Sequence, residues 1–196
     1  MKEQIISKLR ESAELKLRFA KESIKEIAEA TNIIHKSLKA GGKILIFGNG
    51  GSAADAQHIA AEFVNRYQKE RKALPAIALT TDSSILTSIG NDTSFDNIFL
   101  RQIEALGKKV DVAWGISTSA KSPNIVKALE FAKSEGLKTI GFTGGDAGKI
   151  NKIVDCCINV PSTSTPRVQE LHITVAHIIC ELIEDAVCNN KKDTSK

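Results

Sequence analysis

The sequence predicts a single α/β domain built on a five-stranded, mainly parallel, doubly wound sheet flanked by helices. Short apolar runs alternate along the chain with segments of helical periodicity, and two of the runs lead into loops rich in glycine or hydroxyl side chains. Strands that alternate with helices form parallel sheets through right-handed crossovers. The length of 196 residues suits one such domain, since single α/β domains commonly contain about 150 to 250 residues.

The N-terminal segment, residues 3–40, is predicted to be helical. Between Ile24 and Leu38, apolar side chains recur at steps of three and four residues, with lysine and glutamate between them. This period is that of an amphipathic helix. Gly41 and Gly42 follow directly, and glycine is favoured just beyond the end of a helix.

Five strands are predicted after this segment. The first contains Ile44, Leu45, Ile46 and Phe47, as expected of a strand that is buried on both faces. The others are the apolar runs at 76–79, 110–116, 139–142 and 156–160, and two of the helices are predicted at about 53–67 and 167–188. Parallel sheets of this type bind ligands at the carboxyl ends of their strands, so the loops after the strands are the first place to look for a site.

The composition is that of an ordinary globular protein. Hydrophobic residues make up 42% and charged residues 26%, and the net charge of +4 is spread along the chain, which argues against nucleic acid as the partner. No apolar run reaches the roughly 20 residues that a membrane span needs, and the N-terminus does not resemble a signal peptide. We therefore expect a cytoplasmic protein with reduced cysteines, because none of its four cysteines forms a C-x-x-C motif.

Two loops are candidates for binding a phosphate. The first, Gly48-Asn49-Gly50-Gly51-Ser52, joins a strand to a helix, and its glycines allow backbone N–H groups to approach an anion. A plain tight turn is the alternative. The second loop carries four hydroxyls in six residues, at Ser117, Thr118, Ser119 and Ser122. These hydroxyls precede a helix N-terminus that attracts negative charge, although a helix cap with a turn would use the same residue types.

Four residues are candidates for a metal site: His58, Glu62, Gln169 and His177. His58 and Glu62 are four residues apart, so both side chains leave the same face of one helix. Alone, such a pair is common on protein surfaces. Gln169 and His177 are eight residues apart, about 12 Å of rise in a continuous helix. His177 lies in an apolar stretch, where a core histidine bonded to a carbonyl is the alternative to a ligand.

The other two histidines have weaker patterns. His172 is predicted to be either exposed or a supporting partner of the site, and His35 is predicted to lie on the surface.

Considered together, several segments resemble the sugar isomerase (SIS) domain family, and within it the phosphoheptose isomerases, which act on sedoheptulose 7-phosphate. The matching segments are 48–52, 56–62, 90–92, 115–119 and 167–170, together with His177. The resemblance covers nearly the whole chain. It implies one SIS domain over residues 1–188, followed by a polar tail at 189–196 that we expect to be disordered.

The resemblance also implies roles for individual residues and an assembly. The implied ligands of one zinc ion per subunit are His58, Glu62, Gln169 and His177, with Glu62 and His177 as the catalytic residues. The implied substrate contacts are Asn49, Gly50, Gly51, Ser52, Glu62, Arg66, Asn91, Asp92, Ser117, Thr118, Ser119, Ser122 and Gln169. The family's assembly is a homotetramer with active sites at subunit interfaces.

The implied reaction converts sedoheptulose 7-phosphate to D-glycero-D-manno-heptose 7-phosphate through an enediol, the first step of bacterial ADP- or GDP-heptose biosynthesis, which can serve lipopolysaccharide. A non-enzymatic relative that binds the replication initiator protein is similar around residues 74–79, but it lacks the acid and the last histidine of the metal set. Glu62 and His177 are both present here, which favours the isomerase. A domain for another phosphosugar, such as a six-carbon amino sugar, is a third reading.

The chain departs from the family pattern in the serine loop and before the last helix. Ala120 and Lys121 replace the usual glycine and asparagine, and alanine would be strained if position 120 needs a positive φ. Pro166 stands where some members carry an acid.

The implied ligand set also raises a geometric question. Gln169 and His177, about 12 Å apart along one helix, can barely share an ion with bonds near 2.1 Å. Either the helix starts after Gln169, or the ligands come from different subunits.

Overall fold

The computed structural model describes residues 1–189 and contains one sheet of five parallel strands. The strands are β1 (Ile44–Gly48), β2 (Ala76–Ala78), β3 (Val112–Ser117), β4 (Lys138–Gly144) and β5 (Cys156–Val160). Their order in the sheet is β2-β1-β3-β4-β5. This arrangement confirms the predicted fold class, and every neighbouring pair is parallel.

Eight α-helices of the described chain cover the two faces of the sheet. They are α1 (Lys2–Glu22), α2 (Ile24–Lys39), α3 (Gly51–Val64), α4 (Ser83–Asp92), α5 (Leu100–Leu106), α6 (Pro123–Ser134), α7 (Ile150–Ile153) and α8 (Thr165–Asn189). Alternation along β1 divides the core, because successive side chains of a strand point to opposite faces. Ile44 and Ile46 pack with α1, α2, α3 and α8, whereas Leu45 and Phe47 pack with α5, α6 and α7.

Chain order places the ends of β1 and β3 at the functional edge. From β1 the chain crosses to β2 on one side, and it then returns past β1 to β3 on the other side. The crevice outside the carboxyl ends of two such strands is where doubly wound sheets bind ligands. The glycine loop follows β1 and the serine loop follows β3, so the two predicted anion loops meet at this switch point.

Several predicted boundaries move by a few residues. The N-terminal helical segment is two helices separated at Ser23, and α3 begins at Gly51 and ends at Val64 rather than spanning 53–67. A larger consequence concerns α8, which begins at Thr165 and is continuous through both Gln169 and His177. The alternative that this helix starts after Gln169 is therefore wrong. Asn189 ends α8, and the rest of the predicted tail, 190–196, lies outside the described residues.

Among residues 1–189, none of the helices is long and apolar enough to span a bilayer.

Candidate active site

The glycine loop has a backbone that only glycine adopts readily. Gly50 has φ +56°, in the left-handed region, which side chains with a Cβ atom disfavour. A Cβ atom on Gly51 would lie 2.4 Å from Nε2 of Gln169, and one on Gly48 would lie 2.7 Å from the Ser52 carbonyl oxygen. The glycines therefore allow α3 to begin directly against β1 and α8, with its N-terminus open toward the switch point.

The serine loop forms a cluster of hydroxyls rather than a side-chain cap. Oγ of Ser117 lies 3.0 Å from Oγ of Ser122, and within residues 1–189 the Ser122 hydroxyl makes no capping bond to α6. The cap-and-turn alternative therefore does not describe this residue. Thr118, Ser119 and Lys121 line a cavity of about 620 Å³ together with the loops after β4 and β5.

Ala120 adopts a positive φ, the condition under which alanine was expected from the sequence to be strained. Its φ is +54°, and its side chain is fully buried. For a residue with a Cβ atom, the left-handed conformation costs roughly 1–2 kcal/mol. In this conformation the backbone N–H of Ala120 donates to the Ser117 carbonyl over 3.0 Å. This hydrogen bond closes the turn from Ser117 to Ala120.

Asn124 joins the two loops and was missed by sequence reasoning. Its carboxamide and that of Asn49 exchange two hydrogen bonds, each 2.9 Å long. Oδ1 of Asn124 also accepts from the N–H of Ile125, and the side chain is almost fully buried. The only sequence signal was an asparagine directly after Pro123 at the start of a helix. The Asn49 amide, expected to contact sugar, is thus held by the helix that follows the serine loop.

Three of the four predicted metal ligands converge between α3 and α8. Nε2 of His58 lies 3.1 Å from Oε1 of Glu62 and 3.3 Å from Nε2 of His177. One donor atom from each residue lies within 4.8 Å of the others. A tetrahedral ion with bonds near 2.1 Å separates its ligands by about 3.4 Å, so this triad fits a small divalent cation. His58 keeps about half of its side chain exposed, at 48%, which leaves the donors accessible.

From the sequence, the alternative for His177 was a core histidine bonded to a carbonyl. The structure shows this arrangement at His172 instead. Nε2–H of His172 donates to the Thr143 carbonyl over 3.0 Å, and the ring is 1% exposed. Burial lowers the pKa of His172 to about 4. The prediction that His172 could be exposed is wrong because α8 turns this side chain toward β4. His177 instead faces His58, and its ring lies 5.6 Å from that of Tyr67.

His35 is also less exposed than predicted. It is half-buried, and burial lowers its pKa.

Gln169 lies at a different end of α3 from the triad. Its amide contacts Gly51, the first residue of α3, whereas His58 and Glu62 are seven and eleven residues further along. At 1.5 Å per residue, these offsets correspond to about 10 and 16 Å of rise. Within one chain, therefore, Gln169 lies at the glycine loop and His177 lies at the two α3 ligands.

Most of the remaining predicted contacts are exposed on the surface of the chain. Arg66 is exposed and pairs with Glu70 just after α3. Asn91 and Asp92 lie at the end of α4, where the Asn91 amide donates to the Asp92 carboxylate over 2.8 Å. Ser52, by contrast, is buried in the first turn of α3. Among the described residues, no hydrogen bond joins Arg66, Asn91 or Asp92 to the triad.

Comparison with known proteins extends these observations. Residues 9–144 match the family described as the SIS domain. The phosphoheptose isomerase of Thermodesulfovibrio yellowstonii is 56% identical over 175 residues, covering 89% of this chain and 87% of the relative. That of Aquifex aeolicus is 53% identical over 188 residues, covering 96% and 98%. The solved phosphoheptose isomerase of Neisseria gonorrhoeae has a TM-score of 0.89 and 41% identity, covering 94% of this chain and 98% of that chain.

Proposed function

Since this chain belongs to the SIS domain family and, within it, to the phosphoheptose isomerases, we propose that it interconverts sedoheptulose 7-phosphate and D-glycero-D-manno-heptose 7-phosphate. The observation that carries the proposal is the His58–Glu62–His177 triad, which lies between α3, the helix that starts at the glycine loop, and α8. The adaptor hypothesis gains no support, because the acid and the last histidine lie together with His58 in one cluster.

The reaction requires a proton to move between C1 and C2 of the sugar. A base must remove the carbon-bound proton, and charge that develops on the neighbouring oxygen must be stabilised. We assign the base to Glu62. Its Oε1 faces His58 at 3.1 Å, so Oε2 is the oxygen left to receive the proton. His177 would relay a proton to and from the sugar oxygens from the other side of the triad.

The triad is proposed to hold one Zn²⁺ per subunit. Two imidazoles and a carboxylate are ligands that zinc prefers, although a set without thiolate also suits nickel, cobalt or iron. When bound, the ion supplies Lewis-acid polarisation of the substrate oxygens. The side chains of His58 and His177 orient the donors, and their ring centroids lie 5.0 Å apart in an edge-to-face arrangement.

The phosphate is proposed to bind at the serine loop. The Ser117, Thr118, Ser119 and Ser122 hydroxyls can donate to its oxygens at the N-terminus of α6, where the helix dipole favours an anion. The sugar would then extend toward Asn49, Gly50, Gly51 and Ser52 of the same chain, and its C1 and C2 would face the triad of the neighbouring copy to which that chain's Gln169 is proposed to contribute. Arg66, Asn91, Asp92 and Gln169 are proposed as further contacts, with Gln169 placed beside the glycine loop by its contact with Gly51.

A homotetramer with active sites at subunit interfaces is part of the proposal. Because α8 is continuous, Gln169 and His177 of one chain are too far apart along it to share an ion easily. The fourth ligand is therefore proposed to be Gln169 of a neighbouring copy. In the described chain, no residue of α4 is buried, which supports a second copy covering this helix with Asn91 and Asp92.

The cellular context is likewise proposed. The product would enter heptose biosynthesis in the cytoplasm, as the precursor of an activated heptose for lipopolysaccharide or another glycan.

The decisive experiment follows the sugar itself. Purified protein of known metal content is incubated with sedoheptulose 7-phosphate in deuterated water, and the products are followed by NMR. An enediol route places deuterium at C2 of a new aldose, because the base exchanges its proton with solvent. Absence of conversion by a metal-loaded oligomer would overturn the proposed activity.

Replacement of the base separates chemistry from binding. Glu62→Gln removes the proton acceptor and leaves the serine loop intact, so we expect turnover to fall by at least about 10²-fold while the affinity for inorganic phosphate is retained. Glu104→Gln is the matched control, because Glu104 is exposed on α5, on the other face of the sheet. A Glu62→Gln enzyme of near-normal rate would eliminate this residue as the base.

A further inference from the structure

We propose that the buried ion pair of Arg71 and Glu184 has a positioning role: it keeps α3 and α8 in the relative position at which their side chains form the metal triad. This inference rests on the proposed function of that site. Both side chains are 2% exposed. Neither residue lies in the triad, and no sequence pattern indicated that the two would pair.

Arg71 fixes the C-terminal end of α3. Its Nη2 donates to the Glu62 carbonyl over 2.7 Å, and its Nη1 donates to the Phe63 carbonyl over 2.9 Å. The last carbonyls of a helix have no partner within the helix, so the guanidinium supplies bonds that α3 cannot make. A positive charge at a helix C-terminus is also favourable. The residue that carries the proposed base is therefore held through its own backbone.

Glu184 holds the segment that follows α3 onto α8. Its Oε1 accepts from the N–H of Tyr67 over 3.0 Å, and its Oε2 accepts from those of Gln68 and Lys69 over 2.7 and 2.8 Å. Nε of Arg71 completes the set at 3.1 Å. Burial raises the pKa of Glu184, but these N–H groups and Arg71 outweigh it and leave the pKa below its usual value. The carboxylate therefore remains charged.

The pair joins the elements that supply the triad. His58 and Glu62 come from α3, whereas His177 comes from α8, more than a hundred residues later in the chain. Glu184 lies seven residues after His177, almost two complete turns, so both side chains leave the same face of α8. Glu184 also holds the backbone of Tyr67, whose ring packs against His177. Loss of the pair would thus displace donors on both helices.

A purely stabilising role is the alternative to test. Buried ion pairs are often poor stabilisers compared with apolar packing, and a role in conformational specificity must be shown for each protein. The chain offers a matched control whose partners lie on neither α3 nor α8. Asp111, before β3, is buried, pairs with Lys43, and accepts from the backbone N–H groups of Lys43 and Lys108.

The experiment measures Co²⁺ binding to the folded, full-length protein. Co²⁺ affinity is determined by competition with a chelator, and the visible absorption band reports the geometry of the ligands. The variants are Glu184→Gln and Arg71→Lys, with Asp111→Asn as the control, each confirmed as folded by circular dichroism. Arg71→Lys retains the charge but replaces the planar fork with a single ammonium, so it serves if Glu184→Gln does not fold.

The two site variants are expected to bind Co²⁺ about 10- to 100-fold more weakly than the wild type, as for other groups that orient metal ligands, and to shift the absorption band. Asp111→Asn is expected to lose thermal stability while it keeps the wild-type affinity and band. Wild-type binding in both site variants, or an equal loss in Asp111→Asn, would overturn the positioning role. A wild-type protein that binds no Co²⁺ would instead overturn the proposed metal site itself, and this inference with it.

Discussion

The carboxamides of Asn49 and Asn124 bridge the two anion loops at the level of single residues. Each amide donates one N–H to the oxygen of the other, so each side chain fixes the orientation of the other. Asn49 itself follows from the sequence, because it lies within a recognisable glycine loop. Its orientation does not, because the partner is 75 residues away and no local pattern links the two positions.

We expect Asn124→Ala to damage both stability and substrate binding. The change leaves the Asn49 amide unpaired and removes an acceptor from the Ile125 N–H, and an unsatisfied buried group costs about 1–3 kcal/mol. Denaturant unfolding should show a loss in this range, and the KM for the sugar phosphate should rise more than kcat falls. Asn151→Ala, at an exposed position of α7, should change stability by less than about 0.5 kcal/mol. Unaltered KM in Asn124→Ala would show that the bridge has no role in binding.

Helix α8 and strand β4 are held together by a histidine that cannot easily be protonated. Nε2–H of His172 donates to the Thr143 carbonyl, and Nδ1 is buried without a hydrogen-bond partner among the described residues. A proton on Nδ1 would therefore be a buried, unpaired charge. This is the physical reason that the pKa is lowered to about 4.

Acid should weaken the protein through His172. The ring has a pKa near 6.5 when unfolded and about 4 when folded, so the unfolded state binds more protons between these values. The free energy of unfolding therefore falls as pH falls through this window, by up to about 1.4 kcal/mol per pH unit. In His172→Gln, which retains a donor, urea unfolding between pH 7 and 4 should show a shallower loss.

The control is His35→Gln, because His35 is only half-buried and should contribute less to the slope. Parallel pH profiles for the wild type and His172→Gln would show that His172 is not the source of the acid sensitivity.

At the scale of the whole molecule, exposed apolar side chains lie on α3 and α8, the two helices that supply the triad. Val64 on α3 is 47% exposed, and Ile178 and Leu182 on α8 are 39% and 45% exposed. The latter two are four residues apart and share one face of the helix. Apolar side chains that are exposed together on one helix face are typical of an interface between proteins. We interpret this face of α8 as surface that a neighbouring copy covers in the proposed tetramer.

Leu182→Asp should therefore shift the protein toward smaller species in sedimentation experiments, because a charge would be desolvated at the interface. Val110→Asp introduces the same charge at an exposed apolar position before β3, at the amino-terminal edge of the sheet, and should leave the assembly intact.

Chelation of the metal should lower both the melting temperature of the protein and the size of the assembly if the ion bridges subunits. A metal-free protein of unchanged size and melting temperature would contradict the bridging ion.

The sequence by itself determined the elements and the chemistry that each carries. Apolar runs and helical periods predicted the five strands and the fold class, because such patterns repeat over two or about 3.6 residues and need no distant partner. For the same reason, the glycines of the first loop, the hydroxyls of the second and the His58–Glu62 spacing were visible along the chain. That alanine would be strained at a positive φ also followed from the residue type, whereas the φ of Ala120 itself came from the structure.

Only the tertiary structure decided which of these groups meet. The order of the strands brings the two loops together, and the packing of α8 against α3 turns His177 toward His58 and His172 into the core. The Arg71–Glu184 pair and the Asn49–Asn124 bridge arise in the same way. Each contact joins residues far apart in the chain, and its free energy depends on the packing of whole elements rather than on any local pattern.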